Sequence, residues 1–163
     1  MIITITGTKS EKRANLLCAA TKYYAYLLLP KRTVECLNVE VILNPKLKDY
    51  GYCMSDGDDR SPKEFQIELQ TGRDRTEVDI LQTLAHEMVH LKQYAKNELK
   101  ASLAVKQVGN TMTFGTTWMG EIYEFKKSQH GYWDAPWEIE AYGRELGMYM
   151  RWCEHLDRIK KCK

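Results

Sequence analysis

The chain has 163 residues, a formal net charge of +2, and an ordinary composition with 44% hydrophobic and 28% charged residues. This length predicts one domain, residues 1–163, with enough chain to bury a hydrophobic core. The small net charge and the lack of a basic stripe with interleaved aromatic residues do not indicate nucleic-acid binding. The longest apolar run, Tyr23 to Leu29, is too short to span a bilayer, so no membrane partner is expected.

The cysteines and the N-terminus predict a cytoplasmic protein. There are five cysteines, an odd number, and no Cys-x-x-Cys pair, which argues against a disulfide framework and against a zinc ribbon. Free thiols are typical of a reducing compartment. Residues 1–7 have neither the basic segment nor the long apolar segment of a secretory signal.

The first part of the chain alternates predicted strands with one long helix. Residues 2–6 are predicted as a strand, and Ser10 as the N-cap of a helix that runs to about Leu29. Alternating apolar residues predict a strand at 37–43, and a second short strand is expected at 50–54. The polar turn that follows contains three aspartates, but it lacks the spacing of a calcium-binding EF-hand loop and is expected to be solvated.

The second part predicts one more strand, a hairpin and two helices. Residues 64–70 alternate as a strand with one polar face, and a helix capped by Thr76 is predicted over about 76–96. Residues 111–114 and 121–125 are expected to pair as a hairpin. Together these elements predict an α+β fold, with a small antiparallel or mixed sheet packed on the helix 76–96 and on a C-terminal helix.

The C-terminal helix is predicted to open at Asp134-Ala135-Pro136, with Asp134 as the N-cap and Pro136 in the first turn. Its spacing predicts a buried apolar face made of Ile139, Tyr142, Leu146, Tyr149, Cys153 and Leu156.

The helix 76–96 contains His86-Glu87-Met88-Val89-His90, a His-Glu-x-x-His motif. Helical residues four apart lie on one face, so the two imidazoles can bind the same metal ion. Zn²⁺ is the metal that this pattern favours, and Glu87 can reach a water on it as a general base. The alternative is a solvated helix face with two ordinary histidines.

A catalytic zinc usually takes three protein ligands, and the C-terminal helix has two candidates for the third. Glu138 is preferred because its position on the helix faces the packed side. Glu140 remains the alternative, because Gly143 and Gly147 share its face and would let another backbone approach closely. An acidic residue in a first helical turn is also favoured by the helix dipole alone.

These motifs resemble the gluzincin branch of zinc peptidases. The form His-Glu-Met-Val-His with a later Pro-Trp-Glu-Ile-Glu-Ala is also similar to small bacteriophage-encoded peptidases and to the SprT-like class. The resemblance covers residues 64–94 and 132–150, and it implies a minimal zincin fold and, for a phage protein, the host cytoplasm. In gluzincins an Asp four residues after the ligand Glu supports a ligand histidine, and Tyr142 stands at that position here.

The expected function is zinc-dependent hydrolysis of peptide bonds in a peptide or protein substrate. Glu87 would accept the proton of the attacking water, and one further donor would stabilise the oxyanion. Candidates for that donor are Tyr142, Tyr149, His130 and Arg144, of which Tyr142 is the preferred one. In zincins an edge strand before the metal helix pairs with extended substrate, and the resemblance implies this role for the strand 64–70. The alternative is a strand with a structural role alone.

The sequence is also compatible with two other functions. A SprT-like peptidase could act on proteins bound to nucleic acid. A non-catalytic module could hold zinc as a structural ion, although structural sites usually close with four ligands, often cysteines.

Overall fold

The computed structural model describes residues 1–55, 62–100, 104–108, 111–124 and 131–161. The described part is an α+β arrangement, as the sequence predicts. In chain order the elements are β1 (Ile2–Thr6), α1 (Glu11–Leu28), α2 (Lys31–Glu35), β2 (Asn38–Asn44), β3 (Gly51–Ser55), β4 (Glu64–Gln70), α3 (Glu77–Ala95), β5 (Ala104–Val108), β6 (Thr111–Trp118), β7 (Glu121–Glu124) and α4 (Pro136–Lys161).

Strands β1 to β4 form a mixed sheet in the order β1-β2-β4-β3. Strands β1, β2 and β4 are parallel, and β3 is antiparallel to β4, with Cys53 opposite Ile67. The expectation that residues 64–70 form an edge strand is therefore wrong, because β4 lies between β2 and β3. The strand at the edge beside α3 is β3.

One face of this sheet forms the core with α1 and α3. Alternate residues of β2 and β4, such as Val41 and Ile67, are fully buried, while Glu64 on the opposite face is exposed. The predicted caps are confirmed: the Ser10 side chain accepts from the Arg13 amide, and Thr76 forms a capping box with Asp79. Helix α3 packs against α1, α4 and β3, which places its middle turns at the centre of the molecule.

The second sheet, in the order β5-β6-β7, is antiparallel. The predicted hairpin is present in part: residues 115–118 pair with β7, whereas residues 111–114 pair with β5. Phe125 lies outside the described residues. Ring contacts of Trp118 and Tyr123 with Trp137 place this sheet against the start of α4.

Helix α4 begins at Pro136, so Ala135 rather than Asp134 occupies the position before its first residue. The predicted apolar face is also wrong in part. Ile139 and Leu146 are exposed, whereas Met148 and Trp152 are buried with Glu138 and Ala141. The face of α4 that packs on α3 includes polar residues such as Glu138. A prediction from hydrophobicity alone therefore selects an apolar stripe that is rotated away from the buried face.

Within the described ranges, no helix is long and apolar enough to cross a membrane. Cys18, Cys36, Cys53 and Cys153 are free thiols, and Cys162 lies outside the described residues. Most of the aspartate-containing turn, residues 56–61, also lies outside them.

Candidate metal centre

The two motif histidines converge with Glu138 at the contact between α3 and α4. His86 Nε2 lies 3.1 Å from His90 Nε2. The carboxylate of Glu138, in the first turn of α4, lies 3.4 Å from His86 Nε2 and 3.6 Å from His90 Nε2. All three side chains are buried and form one compact group. The helical spacing in α3 brings the two histidines together, and the packing of α4 on α3 adds Glu138.

The spacing of these three groups fits a zinc ion. Ligand atoms about 2.0–2.1 Å from zinc in tetrahedral geometry lie roughly 3.3 Å from one another. The two Nε2 atoms lie 3.1 Å apart, and each lies 3.4 or 3.6 Å from one oxygen of the Glu138 carboxylate, which is close to that value. Glu138 Oε2 is buried and has no hydrogen-bond partner among the described residues, as expected of an oxygen that a metal would bind.

The other nitrogen of each imidazole is held by an oxygen acceptor. His86 Nδ1 lies 2.8 Å from a carboxylate oxygen of Glu145, and His90 Nδ1 lies 2.8 Å from the amide oxygen of Gln93. Because neither oxygen can donate, both Nδ1 atoms carry hydrogen and a neutral ring has its lone pair on Nε2. Two such lone pairs and a carboxylate facing one point require a cation there.

In the metal-free protein, a proton on His86 supplies this positive charge. Burial lowers the pKa of His86, but its contacts with the carboxylates of Glu138 and Glu145 outweigh that effect and raise this pKa to about 9. Burial likewise raises the pKa of Glu138, but its contacts with His86 and His90 outweigh it and lower this pKa to about 2. The local field therefore favours a positive species at the centre of the group.

Glu87 is a buried carboxylate beside the two histidines. Burial raises the pKa of Glu87 to about 7, against the opposing effect of His90 and His86. Its Oε2 has no hydrogen-bond partner among the described residues. A carboxylate whose pKa lies near neutrality can both accept and return a proton, which is what a general base needs.

A cleft of about 890 Å³ opens over His86 and Glu87. Its walls carry Tyr50, the residue before β3, and the pair Tyr132 and Trp133 from the turn before α4. The cleft gives a substrate access to one side of the histidine and glutamate group.

Gly51 of β3 lies directly against α3 at the base of this cleft. A Cβ at Gly51 would lie 2.8 Å from Thr83 Cγ2 and 3.0 Å from Glu87 Oε1. The absence of a side chain lets β3 approach Glu87 closely.

Two tyrosines, Tyr142 and Tyr132, line the cleft beside the histidines. The Tyr142 ring centroid lies 4.5 Å from that of His86, so Tyr142 is placed at the site as the sequence predicts. Tyr132, which sequence reasoning missed, lines the cleft and lies near enough to Glu138 for each side chain to shift the pKa of the other. Burial and the negative charge of Glu138 raise the pKa of Tyr132, which keeps its hydroxyl protonated as a donor. Its position just before the helix that carries Glu138 was the available signal.

The other proposed donors and the alternative ligand lie elsewhere. Glu140 forms ion pairs with Lys92 and with Arg144, so it is not part of the converging group and Arg144 is engaged away from it. Tyr149 packs against the hydrophobic core. His130 lies outside the described residues.

The glycine argument for Glu140 is also wrong. No atom would lie within 4 Å of a Cβ at Gly143 or at Gly147, so no described backbone approaches this face of α4.

Two supporting residues were not identified from the sequence. Glu145, seven residues after Glu138 and so on the same face of α4, supports His86 and is itself held by Gln82 at 2.8 Å. It takes the role that the resemblance would have assigned to Tyr142. Gln93, one turn after His90, supports that histidine.

Comparisons with protein-family models, with curated proteins and with solved structures found no match for this chain. The function is therefore inferred from the geometry of the site.

Proposed function

We propose that the protein is a zinc-dependent peptidase, with His86, His90 and Glu138 as the metal ligands and Glu87 as the general base. One observation carries the proposal: three ligand groups converge within 3.1–3.6 Å, beside a buried carboxylate and beneath an open cleft. A site with three protein ligands and an open side is typical of catalytic zinc, whereas a structural zinc usually has four.

When bound, zinc would act as a Lewis acid toward a peptide carbonyl and would lower the pKa of a coordinated water. The chain's own residues do the rest. Glu87 accepts the proton from the attacking water and returns it to the leaving amine. Glu145 and Gln93 fix the two imidazole rings so that each presents Nε2. The Tyr142 hydroxyl is the proposed donor to the developing oxyanion.

The edge strand β3 is the proposed docking strand for an extended substrate. Within the described residues β3 pairs on one side only, with β4, and its first residue, Gly51, lines the cleft. An extended peptide can add to such an edge through main-chain hydrogen bonds. Gly51 would allow that peptide to run close to Glu87. This transfers to β3 the substrate role predicted for residues 64–70.

The arrangement also supports a minimal zincin fold as part of the proposal. A mixed sheet packs on α3, which carries two ligands, and α4 adds the third from the opposite side. The four free thiols among the described cysteines are compatible with the proposed cytoplasmic location. Action on proteins bound to DNA stays a prediction, which a salt-dependent DNA mobility shift would support.

The proposal is tested with Glu87→Gln, an isosteric change that removes the base but leaves the three ligands. We expect this variant to bind about one zinc per chain and to hydrolyse an unfolded protein substrate at least about 100-fold more slowly than the wild type. Glu77→Gln, in the exposed first turn of the same helix, is the matched control and keeps full activity. Undiminished hydrolysis by Glu87→Gln would remove Glu87 from the mechanism.

A further inference from the structure

A chain of hydrogen bonds runs from His90 through Gln93 into α4. His90 Nδ1 lies 2.8 Å from Gln93 Oε1. The amide nitrogen of Gln93 in turn donates to the Trp137 carbonyl at 2.9 Å and to Glu140 Oε2 at 3.1 Å. Gln93 is fully buried, so no solvent replaces a lost partner.

These contacts determine the orientation of the Gln93 amide. Both acceptors, the Trp137 carbonyl and the Glu140 carboxylate, can only accept, so the NH₂ group must face them and the oxygen must face His90. A rotated amide would present NH₂ to His90 Nδ1 and would force the ring hydrogen onto Nε2. A ring with hydrogen on Nε2 cannot use that atom as a metal ligand.

Ion pairs with Lys92 and Arg144 keep Glu140 ionised, so that it can accept the hydrogen bond from Gln93. Lys92 Nζ, which is buried, lies 2.7 Å from Glu140 Oε1 and 2.6 Å from Glu98 Oε2. Arg144 Nε lies 2.9 Å from the same Oε1. Both cations thus contact one oxygen and leave Oε2 for Gln93. A carboxylate held between two cations remains an ionised acceptor.

We propose that Glu140 is a positioning residue that sets the ring tautomer of His90 through the Gln93 amide. The inference rests on the proposed metal site, since the selected tautomer is the one that presents Nε2 to a metal. It gives Glu140, the alternative third ligand in the sequence, a role in which two residues, Gln93 and His90, separate it from the metal. Glu145 supports His86 directly, so each ligand histidine depends on a carboxylate of α4.

A swap of the two side chains tests the proposal by zinc affinity, measured in competition with a chromophoric chelator. Gln93→Glu places a carboxylate against Glu140, and we expect zinc binding to weaken about tenfold to 100-fold. Adding Glu140→Gln gives the new carboxylate an amide donor, so the double variant should bind at least about fivefold more tightly than Gln93→Glu alone. Losses that simply add would overturn the proposal.

A second measurement reads the tautomer itself and needs neither zinc nor activity. Two-bond proton–nitrogen NMR spectra of metal-free protein should show His90 with hydrogen on Nδ1, and Glu140→Ala should shift it toward the other tautomer. Glu154→Ala, an exposed carboxylate on the same helix, is the control and leaves the spectrum unchanged. If Glu140→Ala does not fold, Glu140→Met replaces it, because this side chain has a similar length but no oxygen to accept from Gln93.

An unaltered His90 signal in the folded Glu140 variant would refute the proposal that Glu140 sets the His90 tautomer. A wild type that fails to bind zinc but shows the expected tautomer dependence would refute the peptidase proposal alone. The two proposals therefore fail separately.

Discussion

The two helices that form the site differ in how directly their sequences specify it. In α3 the relation between His86, Glu87 and His90 follows from the helical repeat, and the helix begins at its predicted cap. In α4 the inward face carries Glu138 and Glu145, and the apolar residues assigned to that face are partly exposed. A site within one helix is specified by local spacing, whereas a site between two helices depends on packing.

The largest expected effect concerns the ligand that α4 supplies. Glu138→Ala should remove a carboxylate whose two oxygens lie 3.4 Å from His86 Nε2 and 3.6 Å from His90 Nε2, and the purified protein should lose the roughly one zinc per chain of the wild type. Metal content by mass spectrometry is the readout. Glu140→Ala is the comparison, and it should bind zinc more weakly but at the same stoichiometry. Equal loss in both variants would contradict the assignment of Glu138 as the ligand.

The next effect separates the two tyrosines that line the cleft. Tyr142→Phe should lower kcat about 100-fold with zinc affinity unchanged, because its hydroxyl is the proposed oxyanion donor. Tyr132→Phe should instead weaken zinc binding, because the charge of the ligand Glu138 and the Tyr132 hydroxyl influence each other. Steady-state kinetics and zinc competition on both variants are the measurements. The reverse pattern would make Tyr132 the donor.

A smaller effect is expected at the carboxylate that supports His86. Glu145→Ala removes the acceptor 2.8 Å from His86 Nδ1, and zinc affinity should fall about tenfold to 100-fold. Cobalt substitution offers a spectroscopic check, since a reoriented imidazole changes the visible absorption bands. An unchanged affinity and spectrum would show that Glu145 has no influence on the ring.

The last comparison concerns the stability of the fold rather than the metal site, and it tests which face of α4 is buried. Met148→Ala should cost about 2–5 kcal/mol of unfolding free energy, because this side chain is buried in the core. Leu146→Ala should cost less than about 0.5 kcal/mol, because Leu146 is exposed. Urea denaturation of the metal-free variants measures both. A larger loss for Leu146→Ala would restore the face that hydrophobicity predicts.

Most of the helices and strands could be predicted from the sequence, but the elements that each one pairs with or packs against could not. The alternation in residues 64–70 is the same for an edge strand and for a central strand with one open face, so β4 was placed at the edge. Glu145, Tyr132 and Gln93 were missed as site residues for a similar reason. Each is an ordinary polar residue along the chain, and only tertiary packing brings it to the histidines.

The proposed site is a zinc ion held by two imidazoles and one carboxylate, and zinc X-ray absorption on the purified protein reads these ligands. We expect one zinc per chain with only nitrogen and oxygen ligands, at about 2.0–2.2 Å. A sulfur shell at about 2.3 Å would point to cysteine ligands and contradict the site. No bound zinc after reconstitution would contradict the peptidase proposal as a whole.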